Sequence, residues 1–350
     1  MQLFINKGYK LYYSLTYILI FSIYPISNLF SEGDLGFPAK ILTNTGNYIL
    51  PFYLYLFLLI LVFDFFLFFN ILFKIVPILK LRSLQFKITI LSLIVFISVA
   101  VVVAGIINFN TIRTSEYSIE IPARSSEIKQ LRIAFAADFH LKEGTNIHFM
   151  KKFVKRIAII NPDLLVLGGD IVEGDRRDEN LKVFEKIISE IDTRYGVYAV
   201  LGNHEHYARQ DKGSFFNNAG IKVLCDTIVI IDSSFNLAGR NDSHFRNRKT
   251  IDDLMKSVTN FLPVILIDHR PTEIDKVSKT NADVQLSGHT HNGQLFPINL
   301  ITKKVYELSY GYRKIGNTHF FVSSGIQLWG PPVRTIGKSE IMIIDIIFNH

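Results

Sequence analysis

The first third of this chain cannot build an ordinary water-facing domain, because it is almost all apolar. Residues 1–110 hold 15 of the 29 Phe but only ten of the 69 charged residues. Leu11–Phe30, Tyr48–Phe73 and Ile88–Phe109 each approach the roughly 20 residues that a helix needs to cross a hydrocarbon layer. The first contains Pro25, and the third is a uniform run of Val, Ile and Leu. A cleaved signal peptide would need a shorter apolar core and a small-residue cleavage site, and two more spans follow. Three retained membrane helices are therefore expected within 1–110.

Loop charges give those helices a direction. Lys7 and Lys10 precede the first span, and Lys74, Lys80, Arg82 and Lys87 separate the second from the third. Residues Ser31–Asn47 carry only Lys40 against Glu32 and Asp34. Basic loops stay on the cytoplasmic side, so everything after the third span is expected outside the cytoplasm, in a multi-pass cell-membrane protein. Asp64 lies inside the second span, where a charge is costly. No basic residue lies in the other spans, so it is expected to be protonated or bonded to a polar group nearby.

The net charge of +7 does not imply nucleic acid. Of that excess, +4 falls in 1–110, and the remaining 240 residues show no basic block. Nucleic acid is not an expected partner. The single cysteine, Cys225, excludes an intrachain disulfide and any CxxC metal or redox motif.

Residues 111–130 read as a polar juxtamembrane linker containing Pro122, and 131–350 as the soluble domain. Leu131–Ala137, Leu164–Leu167 and Val197–Leu201 read as buried strands. They alternate with helices over Phe149–Ile160 and Leu181–Ile191, the pattern of a layered α/β domain. Further on come short strands at Thr227–Ile231, Asn236–Ala238, Val264–Ile267, Val284–Leu286, Phe320–Val322 and Ile341–Ile347, with one helix at Ile251–Phe261. Two stacked sheets with outer helices are expected.

Polar residues able to bind metal recur where those strands stop. Asp138 and His140 follow the first, Asp170 follows the second after two glycines, and Asn203 and His204 follow the third. His269 follows VILI, and His289 and His291 follow VQL. On extended segments, i and i+2 would point the same way. Strand carboxyl ends meet in one crevice, so these groups are expected to converge. Oxygen and imidazole donors without thiolate suit Mn²⁺, Fe or Zn²⁺ better than a soft or an all-oxygen site. So many donors fit two ions better than one ion with an open position.

The ordered blocks D-x-H, G-D, G-N-H-E, H and G-H-T-H resemble the calcineurin-like metallophosphoesterase superfamily. The runs GHTHNGQLFP and SSGIQLWGPPVRTIGKSEI are similar to its membrane-associated bacterial branch. The resemblance covers about 130–350 and implies a four-layer α/β/β/α sandwich. It further implies that Asp138, His140 and His291 bind one divalent ion and that Asn203, His269 and His289 bind a second, with Asp170 bridging. Manganese is the first expectation, with iron, zinc or cobalt as alternatives. His204 corresponds to the family's non-ligand histidine beside the scissile phosphate, suited to protonating the leaving oxygen as a metal-bridged hydroxide attacks phosphorus. Asn292 stands where this branch usually has glycine, and His206 has no family role.

Each block alone would be turn chemistry; together they read as a site. His148, His244 and His319 read as surface or core residues, and Glu205 and Asp175 as groups orienting the site. For Arg240 and Arg334 a structural ion pair is at least as good a reading as phosphate contact, and Trp329 reads as core. The expected protein is a membrane-anchored phosphodiesterase or pyrophosphatase-type hydrolase acting on an envelope substrate, including a lipid-linked one. The competing readings are a phosphomonoesterase of the same fold and a non-catalytic metal-binding scaffold.

Overall fold

A computed structural model describes residues 10–29, 36–142, 144–173, 179–207, 213–258 and 260–350. The chain divides into two compact units, Met1–Ile107 with Gly330–Thr335, and Asn108–Trp329 with Ile336–His350.

The first unit is helical: α1 (Lys10–Phe21), α2 (Ile23–Leu29), α3 (Gly36–Phe73), α4 (Ile78–Arg82) and α5 (Leu84–Phe109, which runs on into the second unit). Two stretches, Ile41–Phe73 and Leu84–Phe109, are long and apolar enough to cross a membrane, with mean hydropathy of 2.7 and 3.1. The first expected span, Leu11–Phe30, is not a single helix. It breaks at Ser22 into α1 and α2, of 12 and 7 residues. Pro25 is the physical cause: it has no N–H for the Phe21 carbonyl four residues back, and its ring crowds that position. Neither piece alone reaches the ~30 Å of a hydrocarbon core at about 1.5 Å per residue. Asp64 lies exposed on α3 and makes no side-chain hydrogen bond among the described residues.

Gly330–Thr335 belongs to this helical unit, although sequence alone assigns it to the soluble domain. The Arg334 amide donates to the Gly105 carbonyl at 3.1 Å, and Tyr55 Oη and Thr335 Oγ1 share a hydrogen bond. Gly105 permits that approach, since a Cβ there would lie 2.6 Å from Val333 Cγ1. Arg334 is fully buried here.

The second unit is α/β. Its strands are β1 (Ile112–Pro122), β2 (Gln130–Ala136), β3 (Leu164–Leu167), β4 (Val197–Ala199), β5 (Ile221–Val223), β6 (Thr227–Ile231), β7 (Phe235–Arg240), β8 (Val264–Asp268), β9 (Val284–Ser287), β10 (Gly311–Ile315), β11 (Thr318–Val322) and β12 (Ser339–Asn349). They form two mixed six-stranded sheets, ordered β1-β12-β2-β3-β4-β5 and β10-β11-β9-β8-β7-β6. Within the first, β2, β3, β4 and β5 run parallel. Within the second, β7, β8, β9 and β11 do. The expected linker is in fact the edge strand β1, parallel to β12 from Ile112↔Ser339 to Pro122↔Asn349. Ser115, Ile119 and Ile121 turn inward in an alternation that its Ser, Thr and Glu neighbours conceal.

Helices α6 (Ile147–Ile160), α7 (Glu179–Ser189), α8 (Asn203–Tyr207), α9 (Gly213–Asn218), α10 (Ile251–Met255), α11 (Ile274–Val277) and α12 (Asn299–Val305) complete the unit. In α6 the Asn146 side chain caps the His148 amide, Phe149, Phe153, Ile157 and Ile160 form the buried stripe, and left-handed Asn161 ends the helix before Pro162. α10 is shorter than the expected Ile251–Phe261 and stops at Met255.

Strand alternation sorts the core into three clusters. Ala134, Ala136, Leu165 and Leu167 pack with Phe149, Phe153 and Phe184 of the helices. Their neighbours Ile133, Phe135 and Val166 share a cluster with Leu237, Ile265, Ile267, Leu286 and Phe321 of the other sheet. Val264, Leu266 and Phe320 pack with Ile251, Leu254 and Val277. This regular burial fixes where each strand ends, and hence where the polar residues beyond it sit.

Candidate metal centre

Five strands deliver the polar blocks. Asp138 and His140 follow β2, Asp170 follows β3, Asn203 and His204 open α8 after β4, His269 follows β8, and His289 and His291 follow β9. Two groups bring their ligand-capable atoms within 4.8 Å of one another: Asp138 with His140 and His291, and Asp170 with His269 and His289. His140 Nε2 lies 3.3 Å from His291 Nε2, His291 Nε2 lies 3.6 Å from Asp138 Oδ1, and His269 Nε2 lies 3.1 Å from Asp170 Oδ2. Asn203 is buried at the start of α8.

The backbone that aims these groups is not extended. Asp138, His140, Asp170, His289 and His291 have φ of 60°, 47°, 51°, 69° and 48°. For side chains other than glycine, the left-handed region costs about 1–2 kcal/mol per residue. Such concentrated strain marks a functional site. It also overturns the same-face argument from i, i+2 spacing: His289 and His291 point into different groups. Asn292 has φ 49° and ψ 32°, a conformation that glycine adopts freely and that Asn tolerates better than most residues. The departure from glycine there thus keeps the turn.

A buried carboxylate holds two of these loops together. Glu205 accepts from the amides of Asp170 at 3.1 Å, Ile171 at 2.5 Å, Val172 at 2.9 Å and Gly202 at 2.7 Å. It orients the site, as expected from sequence. The His289 amide donates to Asp138 Oδ1 and Oδ2, at 3.1 Å each. His269 Nδ1 donates to the Gly168 carbonyl at 2.7 Å, which turns Nε2 toward Asp170 and leaves its lone pair for an ion once deprotonated.

Two glycines let the carboxylates in. A Cβ on Gly202 would lie 2.2 Å from Asp170 Oδ1, and one on Gly288 would lie 2.6 Å from Asp138 Oδ2. Gly202→Ala should therefore lower metal affinity about tenfold or more, in the 10–100-fold range of lost outer support, although no donor is changed. Metal titration of the purified variant reads this, and wild-type affinity would contradict it.

The donor set fits divalent ions. Among the described residues, Asn203 Oδ1 is buried without a hydrogen-bond partner, where buried polar atoms are normally satisfied, and His269 Nε2 is buried facing only the Asp170 carboxylate. Burial pushes Asp138 up to about 6. Burial opposes ionisation of Asp170, yet the adjacent His269 holds its carboxyl well below the usual range. Burial likewise works against charge on His269, but Asp170 raises it to about 10. His289 is driven down to about 3 by burial and then by His269. In the metal-free protein, therefore, a proton on His269 takes the place of a cation beside Asp170. Metal uptake at pH 7.5 should release about one proton, and affinity should fall as pH falls. Calorimetry in two buffers of different ionisation heat tests this, and heats independent of buffer would refute it.

Glu173 escaped the sequence reading. It groups with His140 and His204, 3.3 Å from His140 Nδ1 and 3.1 Å from Lys142 Nζ. Burial opposes its charge, but His140 brings its carboxyl down to about 2. Its only sequence signal is its place three residues after Asp170. The His204 ring meets His140 edge-on at 4.6 Å, its amide donates to Asp170 Oδ1 at 2.8 Å, and burial lowers its pKa.

Other expectations resolve plainly. Arg240 is buried in a pair with Asp268 at 3.2 Å and Glu273 at 2.7 Å, so it is structural. His148 is exposed, and His319 is buried against Tyr312 Oη at 3.0 Å. Trp329 is 55% exposed rather than in the core, being set on a loop that turns at Gly330. Asp175 lies outside the described residues.

Residues 131–293 match the family described as Calcineurin-like phosphoesterase. An uncharacterized metallophosphoesterase of Aquifex aeolicus is 32% identical over 67% of this chain and 92% of its own length. One from Helicobacter pylori is 31% identical over 63% of this chain, which spans 60% of that relative. A zebrafish (Danio rerio) transmembrane protein with metallophosphoesterase domain is 26% identical over 73% of this chain and 62% of its own length. With strand-end donors gathered in two groups and these relatives aligned, the chain belongs to the calcineurin-like metallophosphoesterase family.

Proposed function

We propose that this protein is a membrane-anchored, two-metal phosphoesterase that hydrolyses phosphodiester or pyrophosphate bonds. The observation that carries the reading is the pairing of two donor groups at the strand ends, Asp138/His140/His291 and Asp170/His269/His289. In this assignment the first group holds one ion. Asn203, His269 and His289 hold the other, and Asp170 serves both. When bound, the ions supply Lewis acidity that acidifies water and neutralises phosphoryl charge, manganese being the first choice for this donor set. The chain's own work is positional. Glu205 fixes the Asp170 loop through four amides. His204 delivers a proton to the leaving oxygen from beside Glu173. A four-layer α/β/β/α stacking is supported by the three apolar clusters, the middle one drawing on both sheets.

The domain organisation proposed is a membrane part over 1–110 and the catalytic domain beyond it, β1 included. Lys74, Lys80 and Arg82 between the two apolar helices, with Lys87 in the first turn of the second, support a cytoplasmic loop there, with the catalytic domain on the extracytoplasmic side. This direction does not depend on the kinked segment before α3. α5 ends at Phe109 and β1 begins at Ile112, so the chain between them has little reach. A substrate at the membrane surface, including a lipid-linked phosphate ester, suits that tether.

The test uses the full chain in detergent, stripped of metal and reloaded with Mn²⁺. Bis(4-nitrophenyl) phosphate should be hydrolysed with kcat/KM at least about tenfold above 4-nitrophenyl phosphate, a barrier difference of about 1.4 kcal/mol. A preference for the monoester overturns the diesterase assignment. Two bound ions without turnover of either ester or of a dinucleoside diphosphate overturn the enzyme.

A further inference from the structure

Outside the two donor groups, one cluster on the same unit is built in a way that a structural ion pair does not require. Asp242 is fully buried and uses both oxygens at once. Oδ2 accepts from Arg270 Nε at 2.7 Å, and Oδ1 lies 2.7 Å from His244 Nδ1 while also accepting the His244 amide at 3.0 Å. The carboxylate thereby holds a guanidinium and an imidazole side by side, with Arg270 Nη2 at 3.0 Å from His244 Nδ1. Two donor-rich groups placed that close need an anion beneath them, which Asp242 supplies.

The other arginines nearby are closed in. Arg240 and Arg248 both bind Asp268, with side chains 4% and 11% exposed. The Arg270 side chain is 19% exposed. Its Nη1 makes no hydrogen bond among the described residues and is not enclosed. With Nε taken by Asp242, the outer edge of the guanidinium is presented outward, in the planar fork geometry that matches phosphate oxygens.

The cluster borders the metal centre on one side. Arg270 directly follows His269. The His244 ring lies 5.9 Å from that of His206, which shares α8 with His204. Tyr306 closes the other side, 6.1 Å from the His289 ring. The charge of Arg270 is felt by both His289 and Tyr306.

We propose that Arg270, clamped by Asp242 beside His244, is an anion subsite for a second phosphoryl group, one joined to the hydrolysed phosphoryl through a bridging oxygen. This deepens the proposed function and rests on it: within phosphodiester and pyrophosphate substrates, it selects the pyrophosphate-linked class. It also gives His244 and the otherwise unassigned His206 a place, as the wall along which that second group lies.

The test compares diadenosine 5′,5″-diphosphate with bis(4-nitrophenyl) phosphate on the Mn²⁺-loaded full chain in detergent, for wild type, Arg270→Met and Arg270→Lys. The ratio of kcat/KM values, two-phosphate over one-phosphate, should fall about 10–100-fold in Arg270→Met, mostly through KM, as expected for one lost charged hydrogen bond. Arg270→Lys, which keeps the charge but not the fork, should fall between. Metal content reports the integrity of the site, and if the Met variant loses metal, the Lys variant decides by the same ratio. An unchanged ratio with metal retained overturns the subsite and leaves the phosphoesterase standing. Wild-type protein that binds metal and hydrolyses neither compound overturns both.

Discussion

Asp170→Asn should reduce turnover of bis(4-nitrophenyl) phosphate to background and weaken metal binding by more than the 10–100-fold that lost outer partners cost. Asp170 uses both carboxylate oxygens: Oδ2 lies 3.1 Å from His269 Nε2, and Oδ1 accepts the His204 amide at 2.8 Å. The amide variant keeps the shape and removes the negative charge beside His269. It also offers His269 an N–H in place of an acceptor in one of its two orientations. Elemental analysis of the purified variant, together with Mn²⁺ titration, measures the loss. A variant that retains two ions and normal turnover would end the bridging assignment.

His204→Ala should behave differently, with kcat lower by about 10²–10⁴-fold, the range of a lost general acid, and metal retained. The structural reason is that His204 reaches Asp170 through its backbone amide, which alanine also has. The imidazole itself contributes to a separate group with His140 and Glu173. The comparison that decides is turnover against metal content. Loss of metal along with turnover would show that the ring is part of the binding site, and full turnover without the ring would remove it from the chemistry.

The strand-end blocks were readable because each strand is a short buried run that stops abruptly. β3 is four buried residues, Leu164–Leu167, and the polar group comes after it. The way those groups aim was not readable. A spacing of two implies a shared face only on extended backbone, and Asp138, His140, His289 and His291 are left-handed. Edge strand β1 was hidden because its outward residues are Ser, Thr and Glu, as in a linker. Glu173 looked like an ordinary loop carboxylate, and only the packing of loop on loop brings it to His140. The break between α1 and α2 was legible in Pro25. The apolar length of the segment outweighed that signal.

The position of β12 has a consequence for biosynthesis. It lies between β1 and β2, pairing along eleven residues with β1 and along six with β2. Its pairing with β1 joins positions more than 220 residues apart. Contacts of such long sequence separation form late and slowly. A ribosome that has made every candidate donor through His291 has still not made the strand that β1 and β2 both need. Until Ser339–Asn349 has been synthesised, a nascent chain therefore has its apolar helices, all its candidate donors and the strands of the second sheet, but the sheet that carries Asp138, His140, Asp170 and Asn203 still lacks the strand between β1 and β2. Metal capture would then wait for the last strand, so that a stalled or truncated chain is inert rather than partly active.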